Sequence, residues 1–234
     1  MFTFSQKPEK RPKKDDGNEN NDTFEHNTQS NSFVGAAISA LQLSAKDVDT
    51  TFKGIVEQTV CRGSADGNPF AIRECTGSVL VLLGHAATIT IDKCSNCVII
   101  CGPCRGSIFM RNCANCLLLA ACHQFRLQNS RDIEAHLHCS TKPTIEDSDL
   151  IVAPLLMRYD GFKGDMESAR LDNAANLWDK VQNFTPETGQ FQQMNFDPFA
   201  NGAISSEVIG DELLEKLSTF MEEPEAQELS LGPS

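Results

Sequence analysis

Four groups of residues in this chain of 234 carry types and spacings that support chemistry. Cys94-x-x-Cys97 and Cys113-x-x-Cys116 match the paired thiolates of a structural zinc site, with Cys101-x-x-Cys104 lying between them. Glu134, His136 and His138 alternate, so on a strand they share one face as a candidate metal trio. Cys122 precedes His123, a thiol beside an imidazole, but sequence neighbours on a strand point to opposite faces and make a poor nucleophile–base pair. Gln124, Arg126 and Gln128 also alternate, which sets one guanidinium between two carboxamides. Neither G-x-x-x-x-G-K-[ST] nor G-x-G-x-x-G is present, so the chain shows no nucleotide cradle and no intrinsic enzyme.

The elements that hold these residues decide between the readings. Five segments align, at residues 70–75, 89–94, 108–113, 125–130 and 143–148, and their last residues are 19, 19, 17 and 18 positions apart. A unit of nearly constant length with alternating apolar residues is the signature of a solenoid. Val, Ile and Cys abound and helical spacing is absent, so each unit reads as one turn of a parallel β-helix. Phe70/Ile72, Ile89/Ile91, Ile108/Met110, Phe125/Leu127 and Pro143/Ile145 point inward, and the residues between them point outward. Stacked turns sit about 4.8 Å apart, so equivalent residues form ladders.

This alignment gives the cysteines a second reading. Cys94 and Cys113 hold the position that Cys75, Ser130 and Ser148 hold in other turns, and Cys97 and Cys116 match Ser78, Ile133 and Ile151. Zinc has no use for Ser or Ile in neighbouring turns, whereas small side chains fit a tight inner corner. The ladder is the preferred reading, and no metal is expected. Glu134, His136 and His138 are read as alternating solvent-facing polar residues. Arg126 breaks an outward column otherwise made of Thr90, Phe109 and Thr144. Glu146, equivalent to Gln128 one turn later, lies diagonal to Arg126, within reach of its guanidinium. The residues by themselves imply a polar, partly apolar binding face.

Composition bounds the rest. Apolar content of 40% and charge of 22% are ordinary for a globular protein, while a net charge of −12 disfavours nucleic acid and anionic membrane surfaces. No apolar run approaches the ~18 residues of a spanning helix. Met1-Phe-Thr-Phe-Ser-Gln-Lys has no signal-peptide core, and Phe2 in place of Gly excludes N-myristoylation as written. The expectation is a cytoplasmic protein with its ten cysteines mostly reduced. Residues 1–32 read as a disordered polar tail and 33–51 as a short helical lead-in. Residues 52–190 hold the coil, with Phe52–Cys61 leading in, rungs from Phe70 to Val152, and Asn176–Pro186, which contains Trp178, as the cap. Gln190–Gly202 reads as irregular. Residues 191–234 form an acidic tail in which Ser206–Met221 spaces Ile209, Leu213, Leu214, Leu217 and Phe220 as an amphipathic helix.

Around Gln124-Phe-Arg126 the sequence resembles the tubulin-binding cofactor C domain family, and within it the retinitis pigmentosa 2 type. The resemblance runs from about Phe52 to Gly189. It rests on Gly84-His-Ala-Ala-Thr-Ile-Thr-Ile-Asp-Lys-Cys-Ser-Asn-Cys97, Gly106-Ser-Ile-Phe-Met-Arg-Asn-Cys113, Ala121-Cys-His-Gln-Phe-Arg126, and Trp178-Asp179 through Phe184-Thr-Pro186. It implies a right-handed parallel β-helix whose face carries a catalytic arginine, in proteins that activate a partner GTPase: an Arf-like small GTPase, or tubulin. By position, Arg126 would be the arginine finger, Gln124 its motif partner, Glu146 the acid that orients it, and Phe109 an apolar contact. Gln128, His123 and Arg111 would complete the partner-binding face. GTP and Mg²⁺ would belong to the partner, leaving the chain without a cofactor of its own. His123 departs from the pattern, standing where the retinitis pigmentosa 2 type has a second Gln. The dual-acylation Gly and Cys, the C-terminal nucleoside-diphosphate-kinase-like domain and the long helical N-terminal domain of the cofactor C type also have no counterpart here. The implied roles are an Arf-like GTPase activator in ciliary or flagellar trafficking, sited at the cilium base, then a tubulin-folding cofactor, then a non-catalytic scaffold.

Overall fold

The computed structural model describes residues 50–63, 65 and 67–195. The helices expected at 33–51 and 206–221 and the tail at 1–32 lie outside these residues, save for residues 50 and 51, of which Thr51 opens a strand. Twelve strands follow one another: β1 (Thr51–Lys53), β2 (Thr59–Arg62), β3 (Phe70–Arg73), β4 (Val79–Leu82), β5 (Ile89–Asp92), β6 (Val98–Arg111), β7 (Ala114–Gln128), β8 (Arg131–Cys139), β9 (Thr144–Glu146), β10 (Asp149–Pro154), β11 (Gln182–Asn183) and β12 (Gln190–Gln193). Every pairing is parallel. The first face stacks β1, β3, β5, the second halves of β6 and β7, β9 and β11. The second stacks β2, β4, the first halves of β6 and β7, β8, β10 and β12. The fold is a parallel β-helix.

Register places Thr90, Phe109, Arg126 and Thr144 side by side, and likewise Asp92, Arg111, Gln128 and Glu146. The coil is longer than the repeat suggested. Phe52–Cys61 supplies a complete first rung, since β1 pairs with β3 and β2 with β4. Gln190–Gln193, expected to be irregular, is a strand on β10. One column also shifts: Ile133 is followed by Leu150, and Ile151 pairs with Glu134. The corner before Leu150 is one residue shorter than the one before Ile133, and a one-residue slip exchanges inward and outward side chains.

The corners explain the recurring Cys and Ser. The residue before each is left-handed, with φ of 57° at Glu74, 57° at Lys93, 54° at Asn112, 48° at Asn129 and 46° at Asp147. This conformation is uncommon outside Gly, Asn and Asp. The carbonyl two residues before the marker already accepts a backbone N–H from the preceding rung, and the marker side chain adds a second bond to it. Cys113 Sγ donates to Arg111 O (3.1 Å), Ser130 Oγ to Gln128 O (2.8 Å) and Ser148 Oγ to Glu146 O (2.7 Å). The same atoms accept a backbone N–H from the preceding rung, Cys113 N to Ser130 Oγ and Ser130 N to Ser148 Oγ, both at 3.1 Å. From Cys75 to Ser148 this place is filled by a small side chain that can both donate and accept. Ser130→Ala removes two buried bonds at once and is expected to lower unfolding free energy by about 1–3 kcal/mol. Ser130→Cys should be far milder, because Cys113 already fills the equivalent place. Urea denaturation measures both, and a neutral Ser130→Ala would remove the energetic role of the ladder.

The middle rungs of the second face are buried on both sides. Its outward Val79, Val81, Ile100, Leu117 and Leu119 are covered by Met157, Tyr159, Phe162 and Leu171 from the segment that includes α1 (Phe162–Ser168). Tyr159 Oη accepts from Gly84 N (3.1 Å) and donates to Asp165 Oδ2 (2.6 Å). A Cβ on Gly102 would come within 2.0 Å of Gly84 O and 2.6 Å of Tyr159 Oη, so only glycine fits under this strap. Glu134 and His136 lie on the same covered face, 3% and 0% exposed, and pair at 2.8 Å. They are not solvent-facing, since they continue the columns of Leu117 and Leu119, which pack against the strap, while His138 is half-buried. At the far end, Trp178 packs against the core, and Cys139 N donates to Asn176 Oδ1 (3.0 Å). Among the described residues, no such strap covers the outer surface of the first face.

Candidate partner-binding face around Arg126

Arg126 stands on that surface. Its strand is pinned from below by Phe125 and Leu127, 0% and 1% exposed. Phe109 lies beside it on one rung and Thr144 on the other. The side chain itself is exposed and makes no hydrogen bond or ion pair among the described residues. An unpaired guanidinium carries five donors in a planar fork, suited to anionic oxygens.

The flanking amides are fixed. Gln124 Oε1 accepts from Ser107 Oγ (3.1 Å), and Gln128 Nε2 donates to Glu146 Oε2 (3.1 Å). Glu146 was expected to hold Arg126 and instead takes the amide stacked directly on it. Adjacent rungs bring in-register neighbours closer than diagonal ones, which favours Gln128. Arg111 bonds Asp92 (Nε–Oδ1, 3.1 Å), and its guanidinium carbon lies 5.6 Å from the centre of the Phe109 ring. Asn112 Nδ2 also donates to Asp92 Oδ1 (2.9 Å). Partial burial opposes the charge of Asp92, but the bonds from Asn112 and Arg111 prevail and hold its carboxyl below the usual carboxylate range. Arg111 thus anchors the phenyl ring next to Arg126. His123 is exposed at the corner before Gln124, with Nδ1 2.7 Å from Ser140 Oγ.

The structure therefore gathers Arg126, Gln124, Gln128, Glu146, Phe109 and Arg111 on one surface and sets His123 at its edge. Ser107 and Asp92 were missed, although both were readable: Ser107 precedes Ile108 as Gln124 precedes Phe125, and Asp92 shares the column of Arg111. The other candidates separate from this face. All ten cysteines are free. Cys97 Sγ donates to Ser95 O (3.2 Å) and Cys116 Sγ to Ala114 O (3.4 Å), as their ladder positions require. Burial pushes the Cys104 thiol up to about 11 and keeps it protonated. Among the described residues no group of three or more His, Cys, Asp or Glu is placed to hold a metal ion, and no helix is long and apolar enough to cross a membrane.

The sequence profile described as "Tubulin binding cofactor C" matches residues 67–184, which include every residue of this face. The chain belongs to the tubulin binding cofactor C family. Among family relatives, Protein XRP2 of Mus musculus is 37% identical over 145 residues, covering 61% of this chain and 42% of that protein. Protein XRP2 of Gallus gallus shows the same identity over the same length, with 41% of its own length covered. Tubulin-specific chaperone C of Mus musculus is 31% identical over 114 residues, covering 48% of this chain and 33% of that protein. The match spans less than half the length of each of these relatives.

Proposed function

We propose that this chain is a GTPase-activating protein that supplies Arg126 in trans to an Arf-like small GTPase. One observation carries the reading: an exposed, unpaired guanidinium replaces Thr and Phe in an outward column of a rigid coil. Family membership and the similarity to Protein XRP2 support it. The chemistry is phosphoryl transfer, with GTP and Mg²⁺ held by the partner and no nucleotide or metal bound by this chain. Charge develops on the β/γ-phosphate oxygens as the terminal bond lengthens, and Arg126 would meet two of those oxygens with its fork. Phe109 would give the partner an apolar contact beside the phosphates, with Arg111 and Gln128 at its margin and His123 at the corner. The cellular setting we propose is protein trafficking at the cilium or flagellum base.

A second reading rests on the similarity to tubulin-specific chaperone C, which makes β-tubulin the GTPase. Single-turnover GTP hydrolysis separates the two. An Arf-like GTPase is mixed with the purified chain in one arm, and tubulin with folding cofactors in the other. Acceleration in the first arm alone supports the proposal. Acceleration confined to tubulin replaces it with the second reading, and binding without acceleration in either arm reduces the chain to a scaffold.

A further inference from the structure

The two glutamines beside Arg126 are held with opposite polarity. A carboxamide offers an acceptor at its oxygen and two donors at its nitrogen, and its orientation follows from its partners. Ser107 sits directly beside Gln124 in register, and its hydroxyl occupies Gln124 Oε1 at 3.1 Å. Gln124 Nε2 makes no bond among the described residues and is the edge left for a ligand. At Gln128 the arrangement is reversed: Glu146 Oε2 takes Nε2 at 3.1 Å, which leaves Oε1 as the free edge. Arg126 lies between a donor edge and an acceptor edge.

We infer that Ser107 is a positioning residue that turns the Gln124 amide donor toward the partner's phosphate oxygens, while Glu146 acts through Gln128 to present an acceptor on the opposite side of Arg126. This rests on the GTPase-activating reading. Anionic oxygens are accepted on the Ser107 side, where Gln124 and Arg126 supply donors only. A partner N–H or O–H is accepted on the Glu146 side, where Gln128 supplies oxygen. Without the Ser107 hydroxyl the Gln124 amide is free to rotate and present its oxygen, which would repel a phosphate. The face thereby fixes the sense in which the triphosphate crosses it.

The test places Ser107→Ala in the wild-type and the Gln124→Ala backgrounds and measures stimulated single-turnover GTP hydrolysis against GTPase concentration. Ser107→Ala is expected to lower kcat about tenfold, the rate equivalent of one ordinary hydrogen bond, with KM within about twofold. It should have no further effect once Gln124 is Ala, and Ser107→Thr should restore most of the rate. An unchanged kcat, or the same loss in both backgrounds, overturns the inference. Arg126→Ala, run in parallel, reports on the activation reading itself. A second measurement does not depend on turnover: ¹⁵N relaxation of the Gln124 side-chain NH₂ in the free protein. Its order should fall in Ser107→Ala, and an unaltered order parameter overturns the inference whatever the hydrolysis assay shows.

Discussion

Arg126→Ala is expected to leave the proposed GTPase partner bound and to remove its stimulated hydrolysis. Arginine fingers contribute about 10³–10⁵ in rate, or roughly 4–7 kcal/mol of barrier, so stimulation should fall to the intrinsic rate of the partner. The fold should not notice. Arg126 is exposed and bonds nothing among the described residues, so its removal strands no polar group there, and stability should change by less than about 0.5 kcal/mol. Arg126→Lys keeps the charge but loses the fork that spans two oxygens, and most of the defect should persist. Single-turnover hydrolysis at saturating chain measures the rate, and titration with a non-hydrolysable GTP analogue measures binding. Full stimulation by Arg126→Ala would refute the assignment.

The second large effect is on the fold beneath that arginine. Phe125 is wholly buried next to Ile108 of the preceding rung. Neighbouring rungs are held at fixed separation by their ladders, so the interior has little freedom to close over a missing ring. Phe125→Ala should cost about 3–5 kcal/mol, a large part of the ~5–15 kcal/mol that holds a typical domain folded. Guanidinium denaturation of the full chain measures it. A loss under about 1 kcal/mol would mean that the rungs can collapse, and that the coil is not the stiff support proposed for Arg126.

The columns were legible because in a stacked coil the repeat and the strand register are one quantity. Aligning 89–94 with 108–113 and 125–130 already placed Thr90, Phe109 and Arg126 side by side, as the pairing shows. The first rung was hidden because Ile55 and Gly54 stand where later rungs carry Cys or Ser preceded by Asn, Asp, Lys or Glu. The double-sided burial of the second face had a signal in the unbroken apolar runs Val79–Leu83 and Leu117–Ala121, a pattern of strands covered on both faces. Alternation at Glu134, His136 and His138 pointed the other way, and the strap over the second face comes from a polar stretch with no repeat of its own. Glu146 marks a different kind of gap. Its column was readable, but the choice between Gln128 and Arg126 is a matter of side-chain torsion, which spacing does not encode.

The inner corners hold the rungs at one spacing, and this makes the location of a functional side chain a matter of counting. Moving the guanidinium from residue 126 to the equivalent site at 109 or 144 would shift it by about 4.8 Å, with no intermediate address available. A partner whose phosphates lay 2 Å off could not be served by small backbone adjustments. It would have to be met by a different side chain at the same address, or by the corner that carries His123, where units of 17, 18 and 19 residues show that chain length is free to vary. Retargeting such a coil to a new GTPase would therefore proceed by whole rungs and by that corner, in discrete steps.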